Sequence, residues 1–132
     1  MISTIAVATD GSETAQRAVD AALDLAERFG AAVVFITAYS VAPSGGSWAS
    51  TSATHAERVL ADAEDAAAAL GVSCSTAMLE GDPGEAIVAL AERHGADLLV
   101  VGNKGLQRRV LGSVPNTVTH RASCSVFVVK TV

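Results

Sequence analysis

Five short apolar segments, separated by four stretches of helical periodicity, constrain this 132-residue chain more than any other feature. They run over residues 2–9, a β-branched run, Ala31 to Tyr39, Val72 to Leu79, Leu98 to Val101 and Ser125 to Lys130. Leu98 to Val101, apolar throughout rather than alternating, has the length and composition of a parallel strand buried on both faces. Strands that alternate with helices imply a parallel sheet with helices on both sides. The fold class expected is therefore α/β, a single-domain three-layer sandwich with five parallel strands and about four helices.

The helices are marked by their ends. Ser12 is the expected N-cap of the first, which runs to about Phe29 with Ala15, Ala18, Val19, Ala22, Ala26 and Phe29 on its inner face; Gly30 ends it. His55 to Leu70 repeats the pattern, with Val59, Ala63, Ala66, Ala67 and Leu70 facing inward. Gly-Asp-Pro-Gly-Glu at residues 81–85 is a third start, with Asp82 as N-cap, Pro83 in the first position and Glu85 placed for a capping box. That helix buries Ala86, Ile87, Leu90 and Ala91. Pro115 to Ala122 is the short last helix. Between Ser40 and Thr54 the chain is rich in Gly and Ser and lacks periodicity, so a long loop is expected there, with Trp48 as its only large apolar residue.

The stretch from Asp97 to Asn116 carries the chemistry. A buried strand stops at Gly102, and Gly105, Gly112-Ser113 and Pro115 follow. Glycines after a strand allow the backbone to approach a ligand closely. Ser113 reads as an N-cap with Pro115 in the first turn, so a helix start faces the loop, and its N–H groups suit a phosphate. Loop and helix start together predict a nucleotide-phosphate site. In an open α/β sheet such ligands sit at the carboxyl ends of the strands, where the strand order reverses. If the first and fourth strands are neighbours, Asp10 and Gly102 flank that crevice.

Charge sharpens this. The net charge of −5 argues against nucleic acid as a partner. Yet residues 1–101 hold all 14 acids and four bases, a balance of −10, whereas residues 102–132 hold Lys104, Arg108, Arg109, Arg121 and Lys130 and no acid. The bases gather at and after the glycine loop, either as a solvated face or as a funnel for an anion. No apolar run approaches the roughly 18 residues that span a bilayer, and no secretory leader is legible. A cytoplasmic protein is expected. Cys74 and Cys124 fall in strand segments and read as small core residues. His55, His94 and His120 have no metal-ligand spacing.

With these residues in place, the chain resembles the universal stress protein family. The likeness covers Ile-Ala-Val-Ala-Thr-Asp-Gly-Ser at residues 5–12, Gly-Asp-Pro at 81–83, Ala-Asp-Leu-Leu-Val-Val-Gly-Asn-Lys-Gly at 96–105, Leu-Gly-Ser-Val-Pro-Asn at 111–116 and Ser-Val-Phe-Val-Val at 125–129. The resemblance implies a sheet of order 3-2-1-4-5 and an adenine nucleotide in the crevice: ATP first, with AMP or cyclic AMP as alternatives and Mg2+ as a companion ion. It also implies a homodimer through Ser125–Lys130, whose Val126, Phe127, Val128 and Val129 would make an apolar sheet edge.

Residue by residue, the resemblance puts Ala8, Thr9 and Asp10 around adenine and ribose, with Ala38 and Tyr39 flanking the base. It puts Val101, Gly102, Lys104, Gly105, Gly112, Ser113 and Val114 around the phosphates, and Asn116 near the ribose. Asp10 has a second reading as a turn residue that starts the first helix. One spacing departs from the family pattern Gly-x2-Gly-x9-Gly-Ser/Thr: only six residues separate Gly105 from Gly112. Three fewer residues remove about 10 Å of extended chain, which favours a nucleotide with fewer phosphates.

No general base stands beside the loop, so a binding and regulatory role is expected, with at most slow ATP hydrolysis. An adenylating or α-hydrolase-type enzyme would need Ser-Gly-Gly-x-Asp-Ser after the first strand, where Asp10-Gly11-Ser12-Glu13 stands. The Gly-x4-Gly-Lys-Ser/Thr motif is absent. A phosphoacceptor receiver would want an acid ending its third strand, where Met78-Leu79-Glu80 stands. A family member acting as a dimeric interaction module without nucleotide is the remaining alternative.

Overall fold

The computed structural model describes residues 1–41, 52–103 and 113–130. Among the described residues nine elements follow one another: β1 (Thr4–Ala8), α1 (Glu13–Phe29), β2 (Ala32–Tyr39), α2 (Ala53–Ala69), β3 (Cys74–Glu80), α3 (Pro83–Arg93), β4 (Leu98–Gly102), α4 (Ser113–Arg121) and β5 (Ser125–Val129). The strands form one parallel sheet in the order β3-β2-β1-β4-β5, as expected.

Alternate strand residues feed two separate cores. Ile5, Val7, Val33, Phe35, Leu98 and Val100 pack under α1 and α2 with Ala18, Val19, Ala22, Leu60 and Ala63. Ala6, Val34, Ile36, Leu99 and Val101 pack on the other face with Ile87 and Leu90 of α3 and Val118 of α4. Both faces of the central strands are therefore dry, which accounts for their unbroken apolar sequence.

The helix starts are built largely as their residues dictate. Ser12 Oγ accepts the Ala15 N–H at 3.1 Å, and Gly30 closes α1 in the left-handed region at φ 66°. Asp82 accepts the Glu85 N–H at 3.1 Å. The capping box is one-sided, because the Glu85 carboxylate instead holds Arg121 of α4 at 3.0 Å.

Several expectations are corrected. Phe29 and Leu70 were expected inside but are 50% and 48% exposed. Phe29 is the last residue of α1, whose 17 residues extend about 25 Å, past the five-residue strands β1 and β4 that it covers, and Leu70 is the cap residue that follows α2. Leu23 and Leu60 take the buried places. Helix α2 starts at Ala53, capped by Ser52, two residues inside the stretch expected to be loop. Helix α4 is described from Ser113, two residues ahead of the expected start at Pro115. Pro115, at the third position, does not delay the start, since the first four helical N–H groups lack an intrahelical acceptor anyway. Cys124 lies in the turn before β5.

Candidate functional site

The crevice follows from how β1 and β4 separate. They pair through Ile5–Leu98, Ala6–Leu99 and Val7–Val100. Beyond that point each turns to its outer neighbour. The Thr9 N–H donates to the Ile36 carbonyl of β2, and the Asn103 N–H donates to the Val129 carbonyl of β5, both at 3.0 Å. Two adjacent strands whose ends bond outward leave a gap between them, and here the strand order reverses, the place where such sheets take ligands.

One lip is Ala8-Thr9-Asp10. Thr9 is buried, and its Oγ1 accepts the Gly11 N–H at 3.2 Å. Asp10 Oδ1 accepts the Ser12 N–H at 3.0 Å, so the turn-forming reading of Asp10 is realised, and its carboxylate is held half-buried at the rim. Gly11 has φ 80°, and a Cβ there would lie 2.7 Å from Val59 Cγ2 of α2. Conformation and space both demand glycine, and the turn is pressed into one shape. Ala38 and Tyr39 prolong β2 beyond this lip, since Ala8 pairs with Ile36; both are half-buried.

The other lip is Val101-Gly102-Asn103. Val101 points into the second core, which leaves only its backbone to serve a ligand. Gly102 belongs to β4 and pairs with Val129, so its part is extended strand rather than a turn. The Asn103 amide is committed to Val129 and is lost to any anion. Asn103 was missed by sequence reasoning. It is 2% exposed, and no buried side-chain N or O atom among the described residues lacks a partner. An asparagine is rarely buried so fully; its position directly behind a buried strand was the available signal.

Helix α4 brings Ser113 and Val114 to the start of a nine-residue helix, with Val114 packed partly against the second core. Asn116 is exposed on that helix, its carbonyl accepting from Thr119 Oγ1 at 3.0 Å. Lys104, Gly105 and Gly112 lie outside the described residues, as do Arg108, Arg109 and Trp48. Of the basic segment, Arg121 pairs with Glu85 of α3 at 3.0 Å, both side chains largely exposed.

At the opposite end of the same seam sits a second acid that sequence reasoning passed over. Asp97 Oδ2 accepts from the Ser3 N–H at 2.9 Å and from the Thr4 N–H and the Ser3 hydroxyl at 3.0 Å each. These bonds hold the Asp97 carboxyl below the usual carboxylate range, the Ser3 amide being the largest cause. A depression of about 360 Å³ also opens at this end, between the C-termini of α1 and α2 and lined by Glu27, Gly30, Leu70 and Ser73 among others. It is remote from the crevice.

The thiols are not activated. Burial pushes both Cys74 and Cys124 above the ordinary thiol value. Among the described residues no group of three His, Cys, Asp or Glu side chains is placed to hold a metal, and no helix is long and apolar enough to cross a membrane. Asp10 is the carboxylate at the crevice, of the kind that joins phosphate oxygens around Mg2+.

Comparison with known proteins agrees with this geometry. The profile of the Universal stress protein family matches residues 1–130. Universal stress protein MJ0531 of Methanocaldococcus jannaschii is 37% identical over 137 residues, covering 96% of this chain and 81% of that one. Universal stress protein Rv1636 of Mycobacterium tuberculosis is 36% identical over 143 residues, covering 97% and 96%. A crystal structure of a universal stress protein in complex with cAMP superposes with a TM-score of 0.80 at 35% identity, covering 99% of each chain.

Proposed function

The chain belongs to the universal stress protein family, and from that premise we propose that it binds an adenine nucleotide between β1 and β4 as a regulatory protein with little or no rapid catalysis. The observation that carries this reading is the outward bonding of Thr9 and Asn103 around a rim that holds Asp10. Ala8, Thr9 and Asp10 would meet the base and ribose, with Ala38 beside the base. The backbone of Val101 and Gly102 and the start of α4 at Ser113 and Val114 would meet the phosphate.

Among adenine nucleotides, the expectation of ATP gives way here to one with a single phosphate, cyclic AMP or AMP. Two observations favour it: the six-residue spacer between Gly105 and Gly112, and the cAMP held by the 35%-identical relative. Mg2+ belongs to the ATP alternative, with Asp10 as its protein ligand. Isothermal titration with ATP, ADP, AMP and cyclic AMP tests this directly. Saturable heat with cyclic AMP or AMP exceeding that with ATP is expected; heat with none of the four sinks the reading. An ATP turnover near typical enzyme rates, about 1 per second or more, would replace it with a catalytic one.

A homodimer through β5 accompanies the proposal. This edge strand leaves Phe127 42% exposed, an apolar edge of the kind that pairs with a second copy. Sedimentation of the native chain beside Phe127→Lys measures it, a monomer in both cases being the adverse result.

A further inference from the structure

Gly84 is the second residue of α3 and is buried. Its φ lies outside the left-handed region, so the backbone does not require glycine there. Space does. A Cβ at Gly84 would lie 2.8 Å from Thr117 Cβ, 2.8 Å from Thr117 Cγ2 and 3.2 Å from its Oγ1, whereas ordinary contact begins at 3.4 Å. Turning the threonine side chain cannot relieve this, because Thr117 Cβ is fixed to the α4 backbone. The missing side chain is what lets the two helices approach so closely.

We propose that Gly84 is a positioning residue for the nucleotide site, setting through Thr117 where α4 begins. The inference rests on the binding reading above, since Ser113 and Val114 at the start of α4 are the residues assigned there to the phosphate. Thr117 is about one turn into the helix, so a displacement at the contact is carried to Ser113 and Val114 as a rigid movement. Helix α4 is also the partner that yields. Helix α3 has 11 residues, a capped start and five buried residues, Ile87, Leu90 and Ala91 among them, whereas α4 has nine residues and, among those described, Pro115 and Val118 buried. The Arg121–Glu85 pair joins the same helices one turn further on, but both side chains are largely solvated and hold weakly.

The test is isothermal titration of Gly84→Ala with cyclic AMP and with ATP, at a temperature where circular dichroism shows native and variant chains fully folded. The variant is expected to bind roughly tenfold more weakly without touching the ligand. Gly84→Ala combined with Thr117→Gly returns the space to the contact. Affinity then recovers towards the native value, although the glycine inside α4 leaves the melting temperature low; a merely structural role would not separate the two. Native affinity in Gly84→Ala, or no recovery in the double variant, overturns the proposal. If Gly84→Ala does not fold, Thr117→Ile crowds the contact from the α4 side, and unchanged affinity there overturns it equally. A native chain that binds neither nucleotide removes the underlying reading and this inference with it, an outcome distinct from a native chain that binds and a variant that binds as well.

Discussion

The two ends of the β1–β4 seam are built from the same strands and do opposite things. At the amino end Asp97 gathers three hydrogen bonds from Ser3 and Thr4 onto one oxygen, and its own N–H donates to the Thr4 carbonyl at 2.9 Å. At the carboxyl end the last amides, Thr9 and Asn103, are turned away to β2 and β5. One end is cross-linked and the other is parted. A cleft can exist in the middle of a sheet because the strands that open it are tied together where no ligand comes.

The strongest way to break this contrast is to weaken the paired stretch between the two ends. Leu99 is fully buried opposite Ala6, and Leu99→Ala should cost about 2–5 kcal/mol in urea unfolding and take both ends with it. Asp10→Ala should act at the open end: nucleotide affinity drops about tenfold or more, while unfolding shows a smaller loss than Leu99→Ala, the turn bond to Ser12 being part of it. An Asp10→Ala chain with native affinity would remove that lip from the site.

Asp97→Asn sharpens the contrast from the tied end, lowering the melting temperature at neutral pH and leaving nucleotide affinity unchanged. Its pH dependence has a definite sign. The folded carboxyl titrates below its unfolded value of about 3.9, so its contribution is present above that value and is lost as pH falls through the lower, folded one. As pH falls through and below that unfolded value, therefore, the native chain should lose more stability than Asp97→Asn. The smallest effect belongs to Arg121→Ala, below about 0.5 kcal/mol for a solvated pair. A larger loss would mean that the ion pair, rather than the Gly84 contact, holds α4.

What was legible in the sequence was whatever is decided locally. Ser12, Gly30 and Asp82 set helix ends by bonds within a few residues of themselves, and the structure has each of them in that role. The buried strands were visible because both faces of the sheet are covered. Asp10 and Gly102 could be placed on facing lips because topology alone brings the ends of β1 and β4 together. What escaped was decided at long range. The role of Asp97 depends on Ser3, 94 residues away, that of Gly84 on Thr117, and the Asn103 amide on Val129 of β5.

All five strands run in one direction, and this decides how the molecule can be handled. A tether or reporter joined ahead of Thr4 emerges beside Asp97, on the side remote from the cleft. One joined after Val129 hangs over Asn103, whose amide Val129 itself holds. Immobilised by its front, the protein presents its mouth to solution; immobilised by its back, it is turned to the wall.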